Sequence, residues 1–369
     1  MLALRPLLSS DDLMPSTHPV ISLHHDLVAI PSLSREERDA ADFLEAYFRR
    51  EGLDVERHGD NVVASIGSGD DVLLLNSHLD VVPPSSDHPF DPFTPTIYEG
   101  AVYGRGAVDA KASVACMVRA LCDTAHGPAL PDSARVMGAF TTCEELGGTE
   151  NGLEETLPKL GRISAALVGE PTHMQPCVAQ KGLLILKLTA KGRTAHAARA
   201  VEGENAIVKA MRDIAALERL AFDPEHPELG PVTCNVTVID GGTARNVIPD
   251  ACTFWLDIRS TPSWPHDALI AHIESAVESE VHVHSKRLIP VGTDPSERIV
   301  RAVLAADSTR TPFGSPTLSD WIHLKHIPTV KIGPGDSRLS HTSREHVRLD
   351  ELESATAGYA SIIRQYFST

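Results

Sequence analysis

No CxxC pair, no GxSxG and no complete GxGxxG occurs in the 369 residues. Without GxSxG there is no nucleophile elbow of a serine hydrolase. GRGAVD, residues 104–109, supplies only the first two glycines of a dinucleotide fingerprint. Basic residues are scarce, 33 against 50 acidic for a net charge of -17, which opposes phosphate backbones and anionic lipid. Nucleic acid is therefore not an expected partner. Apolar runs stop at about five residues, as in VACMV, against the roughly 20 that a membrane span needs. The N-terminal MLALRPLLSSDDL, with Asp11 and Asp12, lacks the apolar core of a secretory signal. Cys116, Cys122, Cys143, Cys177, Cys234 and Cys252 are too scattered for a small disulfide scaffold, so free, mostly buried thiols in a reducing cytoplasm are expected. Internal repeats and low-complexity stretches are absent as well.

What is present is an ordinary globular composition, 42% hydrophobic and 22% charged. The length exceeds one comfortable core, which predicts two domains. Helical spacing of Ala41, Leu44 and Phe48 predicts a helix over 35–51, closed by Gly52. NVVASIG and DVLLLNSHLD read as strands, KASVACMVRALCDTA as a helix, and ARVMGAF and ISAALVGE as two further buried strands. This alternation predicts an α/β fold, a helix-flanked mixed sheet. From residue 177 the texture changes. KGLLILKLTAKG, ENAIVKAMRDIAALERL, VTCNVTVIDGG, ACTFWLDIRS, PHDALIAHIESAVESE and VHVH follow a β-α-β-β-α-β order, the split βαβ or ferredoxin-like module. The expected division is a catalytic domain of 1–176 and 290–369, interrupted by an α+β lid of 177–289.

Sheets of this type bind ligands at the carboxyl ends of their strands. Read in order, those ends carry His78 and Asp80, then Asp109, then Glu144 and Glu145, Glu170 and finally His341. Each has a plainer alternative. Asp109 precedes a helix and could be its N-cap. Glu170 before Pro171 could be a solvated turn residue, His78 a core histidine satisfied by Asp80, and His341 a surface histidine without a duty. Cys143 could be a nucleophile or thiolate ligand, against the commoner role of a small buried hydrophobe. Grouped acids would repel one another unless a cation balanced them, and it is their recurrence at successive strand ends that points to a metal site. Two histidines with three carboxylates suit zinc, cobalt or manganese better than calcium, with one or two ions per site. A central carboxylate could bridge two ions about 3.5 to 4 Å apart. Asp80 is the expected partner fixing the His78 ring.

SHLDVVP, GRGAVDAKAS, TTCEELGG, GEP and SHTSREHV together resemble the successive signatures of the two-zinc deacylases and exopeptidases. That family includes acetylornithine deacetylase, succinyl-diaminopimelate desuccinylase, aminoacylase and glutamate carboxypeptidase. The resemblance spans nearly the whole chain. It implies that His78 and Glu170 hold one metal, Glu145 and His341 the other, and that Asp109 bridges them. It further implies Glu144 as general base, Asp80 as the orienting carboxylate, and a cis peptide from Asp109 to Ala110.

The inserted domain resembles the family's lid and dimerisation domain, which implies a homodimer. His196 in GRTAHAAR matches a histidine that reaches a partner's active site and stabilises the oxyanion. Asn246 in GGTARNVIPD and Arg259 in LDIRSTP match residues that hold the substrate carboxylate or the oxyanion. The stretch AHAARAVEG departs from the usual AHSS or AHSA, and TLSDWIHLKHIP replaces an Asp-Ala-Arg-like stretch, so the pocket is expected to differ around Asp320 and Trp321. The implied activity is hydrolysis of the N-acetyl amide of an amino acid, acetylcitrulline or acetylornithine, in arginine biosynthesis. A dipeptidase, a carboxypeptidase or an N-succinyl desuccinylase of the same fold is the alternative.

Overall fold

The computed structural model describes residues 18–147 and 150–368. The leader reading of the first thirteen residues lies outside them. Two compact units emerge. The first extends to Val178 and adds Thr293–Pro312 and Ser319–Thr369, and the second is Ala179–Gly292 with Phe313–Leu318. The sequence places 313–318 with the first unit; they pack instead with the second.

In the first unit the strands Asp54–His58, Asn61–Gly67, Ala134–Thr141, Asp71–His78, Ala165–Val168 and Thr329–Lys331 lie side by side in that order. The last four run parallel, and the first two are antiparallel to their neighbours, giving a mixed sheet. Their registers align the carboxyl ends: His78 pairs with Thr141, Asn76 with Val168, and Val168 with Lys331. The central strands are apolar because both faces are covered; in Asp71–His78 only the first residue is not buried. The helix Lys111–Ala125 is buried along most of its length, with eleven residues from Lys111 to Cys122 inaccessible. It packs with the helices Pro19–Val28 and Leu349–Ser368.

The second unit is a four-stranded antiparallel sheet in the order Thr233–Gly241, Ala251–Ser260, Gly182–Lys191, Glu280–Leu288. Strict alternation of buried and half-buried residues along Gly182–Lys191 marks one covered face. The helices Ala206–Leu217 and His266–Ala276 cover it, enclosing Leu184, Leu186, Leu188, Phe254, Leu256 and Ile258. In chain order this is the β-α-β-β-α-β module read from the sequence. Among the described residues no helix is long and apolar enough to cross a membrane.

Candidate metal centre

Because four parallel strands end at one level, the loops after them deliver their side chains to one place. His78, the last residue of its strand, is buried. Its Nδ1 lies 2.9 Å from the backbone carbonyl of Asp80, which can only accept, so Nδ1 donates and, in the neutral ring, Nε2 carries the lone pair. Nε2 is buried without a hydrogen-bond partner. It faces Asp109 Oδ1 at 3.3 Å and Glu170 Oε1 at 3.9 Å. The other oxygen of Asp109 faces His341 Nε2 at 3.5 Å, and His341 Nε2 lies 2.9 Å from Glu145 Oε1. Asp109 thus stands between two histidines, each backed by a second carboxylate.

Asp109 does not cap the helix that follows it. The cap position is Ala110, with no side-chain hydrogen bond, and the Asp109–Ala110 peptide is cis. Instead its backbone N–H donates to Glu345 Oε1 at 3.1 Å, as does that of Val108. Glu345 Oε2 accepts from the buried Arg105 guanidinium, whose Nη2 also reaches the His341 carbonyl at 3.4 Å. One buried ion pair therefore fixes the backbone at Asp109 and touches the His341 loop. Burial, then the Asp109 charge, pushes the Glu345 carboxyl up to about 7. Glu170 is set by the register of its strand, where Gly169 N–H donates to Asn76 O at 2.7 Å and Ser77 Oγ to Gly169 O at 2.8 Å.

Glu144 and Glu145 are adjacent, which in a strand would send them to opposite faces. The strand ends at Thr141, and Cys143 turns the chain with φ 59°. Asp80 then holds the turn: Oδ1 accepts from the Glu144 N–H at 3.0 Å and Oδ2 from the Glu145 N–H at 3.1 Å. Ser34 Oγ donates to the same Oδ2 at 2.8 Å. The Asp80 carboxylate thus grips the acidic loop, with Oδ1 at 3.4 Å from His78 Nδ1. Cys143 N–H donates to Glu37 at 3.0 Å, and burial followed by the Glu37 charge pushes its thiol up to about 11. Its Sγ also faces Glu37, and Cys143 is in neither group of converging ligand atoms found among the described residues.

The electrostatics are those of a site short of positive charge. Burial, then the charge of Asp109, raises the Glu170 carboxyl to about 8. Burial above all holds Glu144 well above the ordinary carboxylate range, with Glu170, Asp320 and Glu145 adding to it and His78 opposing. Burial works against a charged His78, but Asp109 and Asp80 outweigh it and hold the imidazole well above its usual value. Ligand atoms of His78, Asp109 and Glu145, and of His78, Glu144 and Glu170, lie within 4.8 Å of one another. The unpartnered Nε2, the mixed nitrogen and oxygen donors and the crowded acids fit one or two divalent ions.

The three other predicted residues belong to the second unit. His196 is exposed on the short strand Ala195–His196, paired with Val247–Ile248, and its Nδ1 accepts from the Ala198 N–H at 3.1 Å. Asn246 is its neighbour, since the Ala197 N–H donates to the Asn246 carbonyl at 2.9 Å. Arg259 is held by Asp257, two residues back along the strand, through bonds of 2.8 and 3.2 Å. The structure therefore groups His196 with Asn246 and gives Arg259 a carboxylate of its own.

Sequence reasoning misses Ser34, Glu37, Asn151 and the Arg105–Glu345 pair. Arg105 and Glu345 do sit inside GRGAVD and SHTSREHV, where an Arg and a Glu in otherwise explained motifs are the signal available.

Residues 74–365 match Peptidase family M20/M25/M40. A succinyl-diaminopimelate desuccinylase of Methylorubrum populi is 29% identical over 385 residues, covering 95% of this chain and 98% of that protein. Aminopeptidase PepT from Bacillus cereus shares the fold with a TM-score of 0.79 at 20% identity, over 95% of this chain and 98% of that one. So does a dinuclear metal binding peptidase from Bacillus subtilis, with a TM-score of 0.72 at 17% identity over 93% and 96%.

Proposed function

This chain belongs to Peptidase family M20/M25/M40, as a metal-dependent hydrolase of amide bonds in acylated amino acids or peptides, and from that premise we propose that it removes the acyl group from an N-acyl amino acid. The acyl group we propose first is succinyl. The full-length relative named for succinyl-diaminopimelate supports this, whereas the arginine-route acetyl amino acids expected from the motifs find no such relative among those described. The observation that carries the proposal is Asp109 set between two histidine–carboxylate pairs with Glu144 alongside.

In this reading His78 and Glu170 hold one ion, Glu145 and His341 the other, and Asp109 lies between. Zinc or cobalt suits this donor set. When bound, such ions polarise an amide carbonyl and ease the ionisation of water. Glu144 takes the proton from the attacking water and delivers it to the leaving nitrogen. Asp80 serves both partners, orienting His78 and aiming the loop that carries Glu144. His196 and Asn246 supply donors to the oxyanion, and Arg259 clamps the α-carboxylate by exchanging Asp257 for it.

We also propose a homodimer through the second unit. Its edge strand Thr233–Gly241 is exposed almost throughout, with Val236, Val238 and Ile239 at the surface, and Val208 and Met211 are exposed on the helix Ala206–Leu217. An unpaired apolar edge of this kind is otherwise an aggregation hazard. A second copy would cover it.

The test is acyl release from a panel of N-succinyl-diaminopimelate, N-acetylcitrulline, N-acetylornithine and free dipeptides, with and without chelator. Chelator-sensitive release of succinate is expected. Hydrolysis of only the acetyl substrates returns the motif-based expectation, and hydrolysis of none but dipeptides makes the protein a peptidase.

A further inference from the structure

Asp320 opens the short turn Asp320–Leu324 and is 2% exposed. Both of its oxygens are used. Asn151 Nδ2 donates to Oδ1 at 2.7 Å, and Thr141 Oγ1 donates to Oδ2 at 3.2 Å. Thr141 ends the strand before the acidic loop, and Asn151 caps the helix after it, accepting from the Glu154 N–H at 3.0 Å. The two ends of the loop also meet directly, since the Gly152 N–H donates to the Thr142 carbonyl at 2.8 Å. A Cβ at Gly152 would stand 2.5 Å from the Thr142 backbone nitrogen, so the approach admits no side chain. On its other side Thr141 Oγ1 accepts from Asn76 Nδ2 at 3.1 Å, and Asn76 lies two residues before His78 on the same face of its strand.

We infer that Asp320 is a positioning residue: its buried carboxylate joins Thr141 to Asn151, closes the base of the acidic loop, and so sets the aim of Glu144 and Glu145 against His78. A buried carboxylate is costly to desolvate and is kept where its donors are fixed. Its oxygens are committed to the loop, so it is not the acid that would select a substrate ammonium. The inference rests on the reading of Glu144 as base and Glu145 as ligand.

A swap tests it. Asn151→Asp keeps the helix cap, because Asp caps as well as Asn, but sets two carboxylates against each other. Adding Asp320→Asn restores an amide–carboxylate pair with the partners exchanged. In alkaline buffer, which favours ionisation of both carboxylates, N151D is expected to speed hydrogen exchange of the Glu144 and Glu145 amides in the metal-free protein by about tenfold or more. Its kcat falls with KM little changed, and N151D/D320N returns both readouts toward the native values. Amide exchange needs no turnover, so the loop result stands even if no acyl amino acid proves to be a substrate. Native exchange and native kcat in N151D would overturn the inference, as would a double variant no better than the single. If N151D does not fold, the double variant decides: recovery of the fold and of native exchange supports the clamp, and failure to recover refutes it.

Discussion

In the first unit each proposed metal ligand is backed by buried partners: His78 by Asp80, the Asp109 backbone by Glu345, the Glu145 backbone by Asp80, the strand carrying Glu170 by Asn76 and Ser77, and the His341 carbonyl by Arg105. Only His341 has a half-exposed side chain. In the second unit His196 is exposed on a two-residue strand and Asn246 in the turn before Val247–Ile248, and Arg259 is paired with Asp257. The first arrangement is prearranged chemistry, in which geometry is fixed before anything binds. In the second the side chains are exposed or already paired, and no ligand atoms converge among them. Loss of a first-unit anchor should therefore alter the centre itself, and loss of a second-unit residue should spare the metal and alter turnover or substrate affinity.

The largest effect expected is that of Glu144→Gln, which should lower kcat by about 10² to 10⁴ while metal content, read by elemental analysis, stays native. His196→Ala comes next, with kcat lower by about 10² to 10³ and metal again retained. Metal loss in that variant would break the contrast between the units. Asp80→Asn should do what neither of these does and weaken metal retention along with activity, by roughly 10 to 100-fold, measured by competition with a chelator. The smallest is a stability effect. Burial holds the His24 imidazole down to about 4, while its Nε2 contacts the Ala107 carbonyl at 2.7 Å, just before Asp109. A folded-state value below the unfolded one means that stability is present above the unfolded pKa and is lost as pH falls through it toward 4. Between pH 7 and pH 5 the native protein should lose about 2 kcal/mol more than His24→Gln, by denaturant unfolding at both pH values.

Sequence made the sheet legible because its signals are local. The helix Lys111–Ala125 and the strand Asn61–Gly67 have the bounds that apolar periodicity predicts. His78 and Glu170 were legible for the same reason, at or just past the ends of parallel strands, whereas Asp109 follows Ala101–Tyr103, a strand of a separate antiparallel sheet. The anchors were not. Glu345 meets the Asp109 backbone across 236 positions, and Asp320 meets Asn151 across 169, so no spacing announces either contact. Nor does periodicity announce that Phe313–Leu318 packs with the second unit. The adjacency of Glu144 and Glu145 is explained by Asp80 binding both backbone amides, a contact between main chain and side chain that residue types do not encode.

Titration of the chelator-stripped protein with zinc or cobalt, followed by calorimetry and by acyl release at each point, tests the central assignment most directly. Two equivalents per chain, with activity rising as they bind and Asp109→Asn losing both, is the predicted result. Full activity in the stripped protein, or tight binding of two ions unaffected by Asp109→Asn, would contradict it.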